Sequence, residues 1–326
     1  MTLEDFLAEW HNESAYVHVQ TSGSTGAPKP MLVEKQRMLN SARITCDFLG
    51  LREGDTALLC MSLDYIAGKM MVVRSIERGL KLITVAPSGH PLSQDGKGWG
   101  IDFAAMVPMQ VYNSLQVPEE CERLKQIRHL IIGGGAIDDS LAAALKTFPN
   151  HVWSTYGMTE TLSHIALRRL NGPDASEWYT PFPSVKISLN EEGCLVIDAP
   201  EVCPERLVTN DIADLSLGPG PSDRFRILGR KDNVICSGGI KIQIETVERQ
   251  LRPHLQAPFL ITKRHDAKFG EAVVLLTEGT VDEARAVCER ILPKYHHPRV
   301  YLHVDQIPLT ETGKPARQQA EQLARP

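Results

Sequence analysis

Apolar residues recur along this chain in two alternating rhythms. Leu39, Ala42, Cys46 and Leu49 stand at helical spacing with Gly50 after them, which predicts a helix that stops there. The stretch from Tyr65 to Arg78 has the same character, and Gly79 ends it before a strand over Lys81 to Val85. Strand-like runs cover Tyr16 to Gln20 and Pro30 to Val33, with a glycine-rich segment between them. A strand over Leu130 to Ile132, a glycine turn and an aspartate-capped helix over Asp139 to Phe148 follow. Another short strand ends at Tyr156, where Gly157 opens a turn into a further helix. Strands alternating with helices predict an α/β architecture, with sheets buried between helical layers. The stretch from Pro200 to Arg226, rich in Pro, Gly, Asp and Ser, reads as loops and short strands. Beyond Asp232 the pattern predicts a compact set. It comprises a helix near Glu245 to Leu251, strands near Phe259 to Thr262 and Ala272 to Leu276, a helix over Asp282 to Leu292, and a terminal helix from Ala316. That change sets a boundary at Gly229–Asn233.

Composition narrows the function classes. The 326 residues are 42% hydrophobic and 23% charged, enough for one large domain plus a smaller one. A net charge of -5 with both signs interspersed gives no footprint for nucleic acid and no polybasic stretch for a membrane surface. No apolar run approaches the roughly 20 residues of a spanning helix. The start, MTLEDFLAEW, is acidic and amphipathic, unlike a secretory signal. Seven scattered cysteines without a CxxC pair argue against a disulfide framework or zinc site and point to the cytoplasm.

The strongest local chemistry is Thr21-Ser22-Gly23-Ser24-Thr25-Gly26-Ala27-Pro28-Lys29. Glycines let backbone N–H groups turn toward an anion, the hydroxyls donate further hydrogen bonds, and Lys29 adds charge. The spacing of a Walker A loop is absent. Alone, the segment reads equally as a Ser/Gly turn between strands. Three further segments lie downstream: Tyr156-Gly157-Met158-Thr159-Glu160-Thr161, Gly229-Arg230-Lys231-Asp232 running on to Ser237-Gly238-Gly239-Ile240-Lys241, and Pro308-Leu309-Thr310-Glu311-Thr312-Gly313-Lys314. The adjacent His296 and His297 point apart, and no partner cluster appears beside them.

In order and separation these four segments resemble the signature set of the adenylate-forming superfamily, over nearly the whole chain from about Tyr16. That superfamily includes acyl- and aryl-CoA synthetases, peptide-synthetase adenylation domains and beetle luciferases. The resemblance implies a large ATP- and acyl-binding domain over residues 1–229, shortened at its N-terminus, with layered sheets and helices. It further implies a hinge over 230–233 and a small mobile α+β lid over 234–326. Residues 21–29 would hold the β- and γ-phosphates of ATP through Thr21, Ser22, Gly23, Ser24, Thr25, Gly26 and Lys29. Thr159 would contact the α-phosphate, and Glu160 would hold Mg²⁺. Tyr156 with Gly157 would meet adenine, as would Gly134, Gly135 and Ala136 in the turn after Gly133. Asp211 and Arg230 would reach the ribose, although Asn210 stands where the family's Thr-Gly-Asp has glycine. Asp232 matches the hinge residue. Lys314 would be the catalytic lysine, its ammonium bridging acyl carboxylate and α-phosphate.

Two features depart from the superfamily. The chain starts just before the phosphate loop, where members carry a long N-terminal portion, and Pro30 stands where glycine is usual. Within the family, Ser62 to Gly79 looks closest to the 2-succinylbenzoate–CoA ligases of menaquinone synthesis, as do Val107-Pro108-Met109-Gln110 and Lys268-Phe269-Gly270. There Tyr65 replaces the usual histidine before the substrate helix, and Arg74 falls on the arginine near the ring carboxylate. A surface pair of Arg74 with Glu77 is the plainer alternative. The implied partners are a small carboxylic acid, ATP, Mg²⁺ and coenzyme A, with a homodimer left open. Loading of a carrier protein, or nucleotide binding without catalysis, are the rival readings.

Overall fold

The computed structural model describes residues 1–20, 30–93, 100–216, 224–310 and 314–325. Among these, a seven-stranded sheet has the spatial order Lys81–Thr84, Thr56–Leu59, Phe103–Met106, His129–Ile132, His151–Gly157, His164–Arg169, Thr180–Pro181. The first five strands are parallel and the last two antiparallel. Alternate residues of its parallel strands feed two separate cores. Ala57, Leu59, Phe103, Ala105 and Ile131 join one with the helices Lys35–Leu49 and Ile66–Arg78. Leu58, Cys60, Ala104, Met106, Leu130 and Ile132 join the other with the helices Pro108–Leu115, Pro118–Gln126 and Asp139–Leu145. Burial on both faces explains why these strands read as continuous apolar runs.

Helix ends fall where glycine permits a left-handed residue. Gly50 and Gly79 follow the two long helices with φ of 64° and 65°, and their backbone N–H groups bond back into the last turn. Tyr65 caps the start of Ile66–Arg78 in extended conformation. The N-terminal segment forms a helix, Leu3–His11, fixed by a reciprocal Thr2–Asp5 capping box. Its Phe6 and Trp10 enter the first core.

Three expectations need correction. No further helix follows Gly157: a single 3₁₀ turn, Thr159–Thr161, leads to Leu162 at φ 65° and then into the strand His164–Arg169. That strand pairs antiparallel with His151–Gly157, so the chain must reverse here. The stretch after Pro200 holds a ten-residue strand, Leu207–Ser216, paired with Arg224–Arg230 across a register shift at Ile212/Ala213. It belongs to a four-stranded antiparallel sheet, whose polar face hid its alternation. The helix predicted to reach Phe148 ends at Leu145.

Residues after 233 form another antiparallel sheet with one parallel strand, Val300–His303. The hairpin Val234–Ser237 with Ile240–Gln243 precedes the helix Ile244–Leu251. The two cores here draw on residues from Ile235 onward, and the first core ends at Phe225 and Ile227.

Candidate functional site

A cleft of about 1090 Å³ opens where the parallel strands end at their carboxyl termini, the place where an open α/β sheet leaves a crevice. Loops from several strands are fastened there by one buried side chain. Gln110 accepts from the Val107 N–H at 3.1 Å and donates to the carbonyls of Cys60 at 3.1 Å and Ser88 at 2.9 Å. Replacing its amide with a hydrocarbon would free all three groups at once.

The cleft gathers residues far apart in sequence. Tyr65, Arg74, Gly134, Gly157, Thr159, Glu160, Asp211, Arg230 and Lys314 all line it. Thr21, Ser22, Gly23, Ser24, Thr25, Gly26 and Lys29 lie outside the described residues. Their flanks, Gln20 and Pro30, are paired strand ends and both line the cleft. Tyr156, Gly135, Ala136 and Asp232 are not among the lining residues.

The acidic and basic groups around Asp211 form a chain. The Tyr156 hydroxyl donates to Asp211 Oδ2 at 2.6 Å, and Arg230 Nη1 lies 3.3 Å from Asp211 Oδ1. Arg230 Nη2 donates to Asp232 at 2.8 Å, and Asn210 donates to both oxygens of Asp232 at 3.3 and 3.2 Å. Asn210, the departure from the family's glycine, thus ties the strand Leu207–Ser216 to the residues after Arg230. The Tyr156 ring meets Phe225 edge-on with centroids 5.0 Å apart. Burial, with Asp211 beside it, drives the phenol well above its ordinary pKa and keeps it a donor.

Glu160 stands exposed on the 3₁₀ turn with Thr159 beside it. Among the described residues no three His, Cys, Asp or Glu side chains come together. One carboxylate at an open cleft suits Mg²⁺, which keeps its waters and takes substrate phosphate oxygens rather than a full protein cage. Lys314 is half-buried, and burial first, then the charge of Arg230, lowers its pKa. Its backbone exchanges hydrogen bonds with Thr310, from N–H to Oγ1 at 3.1 Å and back from the Thr310 N–H to its carbonyl at 2.7 Å.

Arg74 is the unusual residue. It is 2% exposed, yet among the described residues no carboxylate pairs with it. Glu77, its expected surface partner, is taken by Arg43 and Arg78, each at 3.3 Å. The guanidinium instead donates to Ser163 Oγ and, at 3.8 Å, to Met71 Sδ, and it faces the Phe103 ring at 5.9 Å. Its Nε is buried without a partner. Burial pushes its pKa down to about 10, which leaves it charged at neutral pH. Sequence reading missed Ser163 and His164, which also line the cleft. The available signal was a polar pair running straight into Ile165-Ala166-Leu167. Gly157 has a role beside them: a Cβ there would sit 2.2 Å from the Ser163 carbonyl oxygen and 2.5 Å from His164 Cα.

A family described as AMP-binding enzyme matches residues 5–205. A 2-succinylbenzoate–CoA ligase from Bacillus cytotoxicus is 25% identical, over 97% of this chain and 71% of its own. One from Geobacillus sp. is 26% identical, over 98% and 71%. Among solved structures, an acyl-CoA synthetase (AMP-forming)/AMP-acid ligase II-like protein from Dyadobacter fermentans is 32% identical with a TM-score of 0.65. The match covers 97% of this chain and 91% of that one. The o-succinylbenzoate coenzyme A synthetase of Bacillus subtilis, solved with ATP and magnesium, gives a TM-score of 0.76 at 22% identity, over 93% and 69%. At that identity the likeness is one of fold.

A charge buried without an acid should lower stability. Arg74→Met should therefore keep or raise the melting temperature, because an apolar side chain of similar reach removes the desolvation cost. A loss beyond about 2 kcal/mol in urea unfolding would instead make the arginine a structural member of the core.

Proposed function

Because the chain belongs to the family of AMP-binding enzymes, we propose that this cleft joins an aromatic dicarboxylic acid, 2-succinylbenzoate, to coenzyme A. The chain is an AMP-forming acid–thiol ligase that uses ATP, Mg²⁺ and coenzyme A. The acid is inferred from one observation, the buried Arg74 with no acidic partner among the described residues, beside the apolar walls of Tyr65, Met61, Met106 and Ile131. Such walls suit a ring, and a desolvated guanidinium at their back suits a second carboxylate that does not react. The names of the Bacillus and Geobacillus relatives support the same acid.

The chemistry divides into two half-reactions. In the first, a carboxylate oxygen of the acid attacks the α-phosphorus of ATP. The bond to the pyrophosphate oxygen breaks, giving acyl-AMP and pyrophosphate. Glu160 would hold Mg²⁺, which offsets phosphate charge when bound. Thr159 would contact the α-phosphate, and residues 21–29, with Gln20 and Pro30 at the cleft's edge, would take the outer phosphates. Asp211 and Arg230 would reach the ribose, with Tyr156 holding Asp211 in place, and the turn at Gly134 would border the adenine. Lys314 would bridge the acid and the α-phosphate, stabilising charge as it develops. In the second half-reaction the thiolate of coenzyme A attacks the acyl carbonyl, and AMP leaves. A rotation about residues 230–233 would withdraw Lys314 between the steps. The residues between the two sets of cores, held by the Arg230–Asp232 and Asn210–Asp232 contacts, support that hinge.

Thioester formation with ATP, coenzyme A and paired aryl acids tests the acid. Arg74→Ala should cost the dicarboxylic acid about ten- to a hundred-fold in kcat/KM. It should spare a matched monocarboxylic acid and the KM for ATP. Equal losses for both acids would remove Arg74 as the reader of the second carboxylate.

Lys314→Ala should sharply reduce adenylation and spare thioester formation from supplied acyl-AMP; an equal fall in both would give the lysine a structural role. The sign of its pH dependence follows from its lowered pKa. The cation is lost as pH rises through that lowered value, so adenylation kcat/KM should fall on an alkaline limb below the ordinary lysine range. Lys314→Arg should move that limb upward in whatever activity remains.

A further inference from the structure

Behind the acid pocket, a buried line of hydrogen bonds runs from Arg74 to the helix Lys35–Leu49, and its direction can be worked out link by link. At the far end the Thr45 hydroxyl donates to the Ser41 carbonyl at 3.0 Å, so its one hydrogen is used. Thr45 Oγ1 lies 3.1 Å from His164 Nε2 and must therefore accept from it. The imidazole is then protonated on Nε2. Burial and the nearby Arg74 charge hold its pKa well below the ordinary value, so the ring is neutral and Nδ1 is an acceptor. Ser163 Oγ lies 3.2 Å from that Nδ1 and gives its hydrogen there. Its remaining lone pairs then point to the Arg74 guanidinium, which donates to it. From Thr45 through His164 to Ser163 each donated hydrogen has one acceptor.

We propose that His164 and Thr45 are positioning residues that aim Arg74 at the second carboxylate by holding Ser163 Oγ as an acceptor. This rests on the dicarboxylate reading above. With the hydroxyl hydrogen committed to His164, Ser163 holds one arm of the fork and leaves the rest of the guanidinium, including the unpartnered Nε, for the ligand. The backbone supports the same arrangement. Leu162 is the only non-glycine described residue at positive φ, and the Ser163 N–H bonds to the Thr161 carbonyl at 2.7 Å across it. That three-residue turn is of a rare, strained kind. It links Ser163 directly to the segment bearing Thr159 and Glu160. If Thr45 loses its hydroxyl, nothing keeps the imidazole proton on Nε2. A proton moved to Nδ1 would donate to Ser163, and the serine hydrogen would turn against the guanidinium.

The test compares a dicarboxylic aryl acid with its matched monocarboxylic analogue, in the full chain. Thr45→Val should reduce the discrimination between them about three- to tenfold, through the KM for the diacid and with kcat kept. Thr45→Ser, which restores the hydroxyl, should recover most of the discrimination. Ser163→Ala breaks the nearer link at the wall of the cleft and should give the same loss alone. In that background Thr45→Val should add nothing, because the chain is already cut. The proposal is overturned if Thr45→Val and Ser163→Ala act additively. It is also overturned if both leave the discrimination intact while Arg74→Ala abolishes it, and in that case the dicarboxylate reading stands. If Arg74→Ala itself leaves discrimination intact, that reading fails and takes this one with it.

Discussion

An arginine that is 2% exposed must have its charge offset by something, and in this fold the offset is only partial. Arg74 meets a serine oxygen, a thioether sulfur and a ring face, all of them weak compensation for a lost hydration shell. Much of the surrounding structure serves to keep it there. Helix Ile66–Arg78 is stopped at Gly79 and packed on Lys35–Leu49, which fixes the height at which the guanidinium enters the cleft. Met70, Met71, Val72 and Val73 just before it and Ser75 just after it are buried, so the helix cannot turn this residue to water without unpacking the first core. The Ser163–His164 backbone reaches it because Gly157 has no side chain in the way. A site that holds an unspent charge in low dielectric is prepared for an anion at the expense of stability.

The other charged groups of the cleft follow a different rule. Asp211, Arg230 and Asp232 are paired with one another and sit at the partly solvated edge. Glu160 faces solvent on a short turn. Lys314 lies between these regimes: burial first, then the charge of nearby Arg230, lowers its pKa. The strong desolvation is thus confined to the surroundings of Arg74, and the groups proposed for nucleotide and metal face solvent or a partner.

Local signals made much of this readable in the sequence. Helix stops at Gly50 and Gly79, the aspartate cap at Asp138 and the flanking strands Tyr16–Gln20 and Pro30–Glu34 are set by residues close together in the chain. Glu160, Asp211, Arg230 and Lys314 stood out as members of motifs, and the fold brings these four to one cleft. Long-range order was not legible. The strand Leu207–Ser216 exposes too many polar residues to show a clean alternation, and its pairing partner is Arg224–Arg230. The contact of His164 with Thr45 joins positions 119 apart, which no spacing rule reaches. Gly157 lines the cleft, and the close approach of Ser163 and His164 that it also permits was not visible in its motif.

The account turns on whether Arg74 receives a carboxylate, and its side chain can report that directly. Its Nε–H is buried and unpartnered, so it should give a side-chain NMR signal separable from those of exposed arginines and assignable by its loss in Arg74→Lys. Adding the dicarboxylic aryl acid should move this signal downfield as a charge-assisted hydrogen bond forms, and the monocarboxylic analogue should leave it in place. A signal that stays unmoved while the dicarboxylic acid is bound and turned over would contradict the account.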